Sequence, residues 1–330
     1  MVVIGGITRL TESGLSITEW KPVSGAIPPL SEAEWSREFD HYKAIPQYRA
    51  IHAEMTLSEF KTIFFWEYVH RLWGRLIGVA FAVPFLWFLW KRALPRSLAP
   101  KLAVIFVLGG LQGALGWFMV ESGLAGRIEV SQYRLVAHLG AALILYLAIL
   151  WVALDLLAPQ PGIGSSRRLR HAASGLLGLA FLTVLAGGFV AGLRAGLLYN
   201  TFPLMNGEMM PPDYAAIAPW YLNPFENPVA AQFHHRLLAE LTWLFAVGLW
   251  WASRRLGLPR GLRRAFDALA FVATLQLALG IATLLLVVPI PLAAAHQAGA
   301  VALLTAILVV RHGLRRPAAP ELDAKARPAL

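Results

Sequence analysis

The run Phe64-Phe65-Trp66-Glu67-Tyr68-Val69-His70-Arg71-Leu72-Trp73-Gly74-Arg75-Leu76-Ile77-Gly78 decides how the chain is read. It opens a long apolar span, yet Glu67, His70, Arg71 and Arg75 stand in its first turns, where ionisable groups are costly unless they serve a function. Glu67 and His70 are three residues apart and share one face of a helix. The run has an echo far downstream, Gln232-Phe233-His234-His235-Arg236-Leu237-Leu238-Ala239, again at the head of an apolar span. A feature that occurs twice in this way points to a repeated architecture.

Composition fixes the class. With 57% hydrophobic and 15% charged residues and a mean hydropathy of +0.57, the chain is too apolar for a soluble domain of this length. It is expected to be an all-α polytopic membrane protein. The net charge of +10 does not point to nucleic acid, because the basic residues lie in short clusters between apolar spans. Cysteine is absent, which excludes disulfides, thiolate ligands, iron–sulfur clusters and a cysteine nucleophile. Any metal must be held by histidine or carboxylate.

Residues 1–7 are apolar but far short of the ~20 that cross a bilayer, and they lack the features of a signal peptide; they resemble the tail of a helix. A polar segment follows to Phe65, with capping boxes at Ser31/Glu34 and Thr56/Glu59 that predict short helices. Seven full apolar spans come next, at about 67–90, 101–120, 134–154, 172–194, 232–252, 265–288 and 292–310. The loops around Lys91–Lys101, Arg167–Arg170 and Arg254–Arg264, and the tail from Arg311, are basic. The intervening loops are acidic, mixed or short, so the positive-inside rule puts the basic set in the cytoplasm and the other set outside.

The spans form two copies of one unit. Gly5-Gly6, Gly14 and Pro22 match Gly187-Gly188, Gly196 and Pro203, and each set leads through a long loop to a helix headed by His-Arg. Four spans per copy make the copies parallel, related by an axis along the membrane normal. The expected organisation is two four-helix bundles, residues 1–158 and 159–316, with a cytoplasmic tail at 317–330. Most of the first helix is expected to be missing from the sequence, and a basic, apolar stretch coded in frame upstream of Met1 would account for it.

Nine histidines sort by position. His41 and His52 in the polar loop, and His171 and His312 beside arginines, read as solvated surface. His70, His138, His235 and His296 instead open the second, fourth, sixth and eighth spans, all entering from outside. His70 and His138 are 68 residues apart and His235 and His296 are 61 apart, so they occupy equivalent places in the two copies. His234, turned about 100° from His235, reads as loop-facing.

Two histidines on different helices of one bundle, among Trp, Phe and Gly, suit the two axial positions of a haem better than a zinc site, which needs three or four ligands. Gly74, Gly78, Gly140 and Gly299 either let a planar macrocycle approach or simply pack helices. Arg71, Arg75 and Arg236 either pair with propionates or snorkel to headgroups. The copies differ at one informative place: Glu67 stands three residues before His70, whereas Gln232 stands three before His235. A carboxylate in one copy only suggests that the first half does chemistry and the second holds a permanent cofactor; the plainer reading is an i,i+4 salt bridge of Glu67 with Arg71.

With these residues in view, the chain resembles haem A synthase. The run from Gly5 to Trp20, Gly-Gly-Ile-Thr-Arg-Leu-Thr-Glu-Ser-Gly-Leu-Ser-Ile-Thr-Glu-Trp, with Pro22, Gly25 and Pro28-Pro29, Glu67-x-x-His70-Arg71-x-x-Gly74-Arg75, His138, His235-Arg236 and His296 carry the resemblance over nearly the whole chain. The first-loop wording is similar to the proteobacterial and mitochondrial branch; the loop cysteine pair of another branch is absent. The resemblance implies oxidation of the C8 methyl of haem O to a formyl group, giving haem A for cytochrome c oxidase. It implies that His70 and His138 flank the substrate haem, that His235 and His296 ligate a haem b (iron), and that Glu67 acts as acid/base or charge-stabilising group. It also implies a bacterial inner membrane location with haem sites near the outer face, an electron donor (ferredoxin-like or other), and contact with haem O synthase, with cytochrome c oxidase assembly factors and with membrane lipid; a homo-oligomer is compatible with it. A di-haem cytochrome b-like electron carrier would need the same four histidines but not Glu67, and a porphyrin or ion transporter would use the repeat for alternating access.

Overall fold

The computed structural model describes residues 1–124, 128–157 and 167–315. The expected tail at 317–330 and the boundary between the halves at 158/159 lie outside the described residues. Within them the chain is helical, and Met205 and Glu208 form an isolated bridge.

Both predicted capping boxes form. Ser31 and Glu34 start α2 (Glu32–Lys43), and Thr56 and Glu59 start α4 (Leu57–Trp90), each pair satisfying orphan N–H groups of a first turn. Between them lies α3 (Pro46–Ile51), with proline at its first position. Phe39 and Tyr42 of α2 close on Phe60, Ile63 and Phe64 of α4, with Phe39 and Phe60 stacked 5.0 Å apart. The first three turns of α4 therefore belong to a small core outside the apolar span, which is why this helix begins ten residues before the hydropathy rises.

Ahead of it stands α1 (Val2–Leu10); after it come α5 (Ala99–Leu124), α6 (Gln132–Leu157), α7 (Arg167–Gly192), the single turn α8 (Asn223–Glu226), α9 (Pro228–Arg254), α10 (Arg260–Leu285) and α11 (Ile290–Gly313). Among the described residues, six of the seven long helices are long and apolar enough to cross a membrane. The remaining expected span, 232–252 in α9, has the length but falls short in apolarity, because Glu240 and three tryptophans interrupt its aliphatic run. It is nonetheless built into the bundle: α7, α9, α10 and α11 form a closed ring around Leu176, Leu249, Leu269, Leu304 and Ile307.

In the first half α1, α4, α5 and α6 make an open arc, each touching the next. The second half closes it, with α11 against α1 and α6, and α7 against α6. Tyr146 and Thr305 share a hydrogen bond across this seam, 2.7 Å. The doubled glycines explain how the halves approach. A methyl group on Gly6 would collide with the Gln297 amide of α11, and one on Gly188 would lie 2.9 Å from Val136 and 3.4 Å from Leu139 of α6. Gln297 follows His296 and Leu139 follows His138, so the second glycine of each pair receives the residue after a histidine of the other half.

Past α1 and α7 the chain turns at Glu12 and Arg194, both left-handed at φ 55° and 52°. These two residues occupy equivalent places, seven after the first glycine of each pair, and they bond to each other at 2.6 Å. Arg194 also pairs with Glu129, and Arg9 with Glu129 at 2.8 Å. Burial alone would lower the Arg194 guanidinium, but Glu129 and Glu12 outweigh it and raise it.

Two histidines assigned to solvated surface are not there. His52 shares a 2.6 Å hydrogen bond with the Tyr42 hydroxyl and lies 3.5 Å from Glu12; burial pushes its imidazole below the usual range, and Glu12 and Glu59 offset this only partly. His312 is 3% exposed and bonds Asp155 at 2.9 Å. The polar partners that carry them inward are distant in sequence.

Candidate functional site

His138 and His296 are the seventh residues of α6 and α11, His235 is the eighth of α9, and His70 lies one turn below the small core on α4. All four line one continuous cavity of about 2020 Å³ that runs through both halves. Ligand pockets commonly measure ~300–1,000 Å³, so the space is roughly double that of one ordinary site. Among the described residues no three His, Cys, Asp or Glu side chains cluster as a metal cage would require.

Each histidine lies in a notch made by a glycine on a neighbouring helix. An added Cβ would sit 2.9 Å from His138 Cε1 at Gly116 of α5, 2.9 Å from His235 Cε1 at Gly187 of α7, and 2.8 Å from His296 Cε1 at Gly280 of α10. At Gly5 of α1 the nearest atom is His70 Nε2, at 3.1 Å. In each half, then, histidine helices alternate with glycine helices. The glycines expected from sequence behave otherwise: Gly140 takes Leu185 and Gly299 takes the Gln276 amide, which is helix packing, while Gly74 and Gly78 line open cavity. Two of the notch glycines carry a signal in the sequence: Gln112-x-x-x-Gly116 and Gln276-x-x-x-Gly280 recur in α5 and α10.

In the second half two histidine rings face each other across the cavity. The His235 and His296 ring centroids are 6.4 Å apart with planes at 80°. Two metal–imidazole bonds of about 2 Å, with each ring centre about 1.2 Å beyond its nitrogen, give nearly the same spacing. His235 Nδ1 donates to the Thr183 carbonyl at 3.0 Å, which leaves the Nε2 lone pair to a metal, the usual outer partner of a ligating histidine. Arg236 donates to the Thr201 carbonyl and keeps Nε and Nη1 buried without partners. Unpaired guanidinium N–H groups beside a cavity call for an anion. His234, next to the ligand pair, bonds the Tyr214 hydroxyl at 2.9 Å, on the loop side as expected.

In the first half the same places are wired differently. Glu67, 2% exposed, accepts from Ser16 Oγ at 2.7 Å and Ile17 N at 2.8 Å, and from Arg71 Nη2 at 2.6 Å and Nε at 3.0 Å. Arg71 Nη2 also reaches the Ile17 carbonyl at 2.8 Å. The i,i+4 salt bridge is therefore present and clamps the first loop over the cavity; Arg71 is taken up by it. Arg75 donates to the Pro22 and Lys21 carbonyls at 3.0 and 2.9 Å and keeps Nη1 free. In the second half Gln232 Nε2 donates to the Tyr199 carbonyl at 3.2 Å. Ile17 and Tyr199 are equivalent loop residues, so the carboxylate takes a loop N–H where the amide gives to a loop C=O. In that same loop Lys21 bonds Glu19 and Glu38 at 2.6 and 2.8 Å; the Lys21 hydrogen bond lowers the Glu19 carboxyl.

A family model of cytochrome oxidase assembly proteins, COX15-CtaA, matches residues 1–308. The chain belongs to this family. Among its relatives in COX15-CtaA are three proteins named "Heme A synthase". That of Nitrosospira multiformis is 53% identical over 319 residues, 96% of this chain and 90% of the relative. Those of Rhodospirillum centenum and Parvibaculum lavamentivorans are each 53% identical, over 97% and 91% of this chain and 86% of the relative in both cases. Family membership and the six apolar helices make this a multi-pass membrane protein.

Proposed function

We infer that the protein is a haem A synthase, a membrane oxidoreductase that converts the C8 methyl of haem O to the formyl group of haem A. The observation that carries this reading is the pairing of four cavity histidines, two per half, each in a glycine notch, in a chain of this family.

Residues 1–158 form the substrate half and residues 159–316 the cofactor half. His235 and His296 hold a haem b, and the Thr183 bond, the 6.4 Å ring spacing and the free Arg236 N–H groups support the fit. Such a group, when bound, supplies one-electron exchange. His70 and His138 flank haem O. Arg236, and with one N–H Arg75, are the propionate partners. Glu67 is the catalytic carboxylate, acting as acid/base or charge-stabilising group beside the substrate methyl, with both of its oxygens held by Ser16, Ile17 and Arg71. Closure of the first loop through Arg71 keeps water out of the reacting end. The sites lie near the outer face of a bacterial inner membrane, and an external donor or acceptor handles the electrons.

The test is expression of the full chain with and without haem O, followed by chromatography of extracted haems and pyridine haemochrome spectra. Haem A formed only with haem O is the expected result. Bound haem b without conversion would make the protein an electron carrier instead.

A further inference from the structure

The two halves close the same seam differently. Counted from His70 and His235, Gly78 of α4 stands where α9 has Trp243; counted from Gly116 and Gly280, the residues Gly109, Gly110 and Gly113 of α5 stand where α10 has Ala273, Thr274 and Leu277. In the second half Trp243 Nε1 donates to Thr274 Oγ1 at 3.1 Å, and the indole packs on the core that contains Ala273. This lock bridges α9 and α10. In the first half both of its members are glycine. Gly78, Gly109, Gly110 and Gly113 are exposed, a Cβ added at any of them meets nothing within 4 Å, and all four line the cavity that holds the histidines. The cavity therefore opens sideways, between α4 and α5. The opening is bounded: on the loop side Trp20 meets Trp117 at 6.4 Å, and on the far side Phe81 stacks on Phe106 at 6.4 Å, with Phe85 at 5.8 Å from Phe106. In the cavity wall beside it, Gln112 Oε1 is buried without a hydrogen-bond partner, an acceptor that calls for a donor from a ligand.

We propose that this slot is the subsite for the isoprenoid chain of the substrate, with Gly78 and Gly110 as its specificity-determining positions. This rests on the reading of the first half as the haem O half and the second as the haem b half. Haem O is an amphiphile whose ring carries a hydroxyethylfarnesyl arm, a long apolar chain with a hydroxyl at its root. With the ring in the cavity and the chain through the slot, the chain stays in the hydrocarbon of the bilayer and out of water. The substrate then arrives and leaves sideways, and the Glu67–Arg71 clamp on the loop need not open. The root hydroxyl is a donor of the kind that Gln112 Oε1 lacks. Haem b has no such arm, and the half assigned to it has its seam locked by Trp243 and Thr274.

The test copies the lock of the second half onto the first, as Gly78→Trp with Gly110→Thr. The full chain, wild type and variant, is purified in lipid nanodiscs with its second-half haem, which reports that the variant is folded. Each is titrated optically with haem O and, separately, with haem b as a probe that lacks the arm. In the double variant the affinity for haem O should fall about tenfold or more, while uptake of haem b by the first half changes by less than about twofold. Gly110→Val, a smaller obstruction, should give an intermediate loss for haem O alone. Unchanged affinity for haem O, the result if the slot holds only lipid acyl chains, overturns the proposal. Equal losses for both porphyrins also overturn it, because the plug would then press on the ring. A wild type that takes up no haem O defeats the functional reading first, and the proposal falls with it.

Discussion

Replacing Glu67 by glutamine, the residue the second half carries at this place, separates the two jobs of the carboxylate. The side chain keeps its shape and one acceptor oxygen but loses its charge. Arg71, with 13% of its side chain exposed, then lies beside a neutral amide. Removing one partner of a buried ion pair costs ~3–5 kcal/mol, and the partial exposure of Arg71 argues for the lower end. The weakening of the Ser16 and Ile17 bonds from charge-assisted to neutral is part of that cost. The segment is still fastened by Tyr68 to the Ala26 carbonyl and by Arg75 to Pro22 and Lys21, so the loss is local. A local cost of ~3 kcal/mol corresponds to roughly 100-fold more frequent opening. Hydrogen exchange in lipid reads it directly, because the Ile17 N–H is itself one of the bonds to Glu67. Its exchange should accelerate by about two orders of magnitude, with the amides around Asn200 unchanged. Conversion of haem O should fall while haem b stays bound. Acceleration of less than about fivefold would refute the clamp, and unchanged turnover would refute a catalytic role for Glu67.

Three further outcomes are expected. Gly187→Ala or Gly280→Ala places a methyl within 3 Å of a histidine ring, an overpacking that should cost ~1–3 kcal/mol and deplete haem b in the purified protein. Gly178→Ala and Gly248→Ala, which meet nothing within 4 Å, should leave haem content unchanged. A double-mutant cycle with Glu12→Gln and Arg194→Gln should give a coupling of about 0.5–1 kcal/mol that shrinks with added salt, since the Arg194 side chain is 41% exposed. His52 has a depressed native pKa, so its unfolded form binds more protons; protection of residues 31–60 from proteolysis should be flat above the ordinary histidine range and fall as pH drops through about 6.5. His52→Gln should flatten that profile.

Hydropathy and capping chemistry made the helices legible, because both act over short stretches: the boxes at Ser31 and Thr56 and the spans from α5 onward are local patterns. The four cavity histidines were legible through their repeated position. What the sequence hid depends on register between helices. The glycines that matter, Gly5, Gly116, Gly187 and Gly280, differ from Gly74 and Gly140 only in what faces them across a helix pair. The same holds for Arg71, Arg75 and Arg236, alike as residues but distinguished by how many N–H groups the loop carbonyls leave over. His52 and His312 looked solvated because Tyr42 and Asp155, which draw them inward, are remote along the chain or on another element. In α9 the residues Glu240, Trp243, Trp250 and Trp251 lower the apolarity of a stretch otherwise rich in leucine and alanine.

The contact between Glu12 and Arg194 has a meaning for how the two halves recognise each other. Each lies seven residues after the first glycine of its Gly-Gly pair, and the two are in contact. Two first halves meeting in this way would bring Glu12 against Glu12, and two second halves would bring Arg194 against Arg194, and like charges at such a distance repel. Only one of each kind gives attraction. A contact of opposite charges at these two places favours the unlike pairing over either like one.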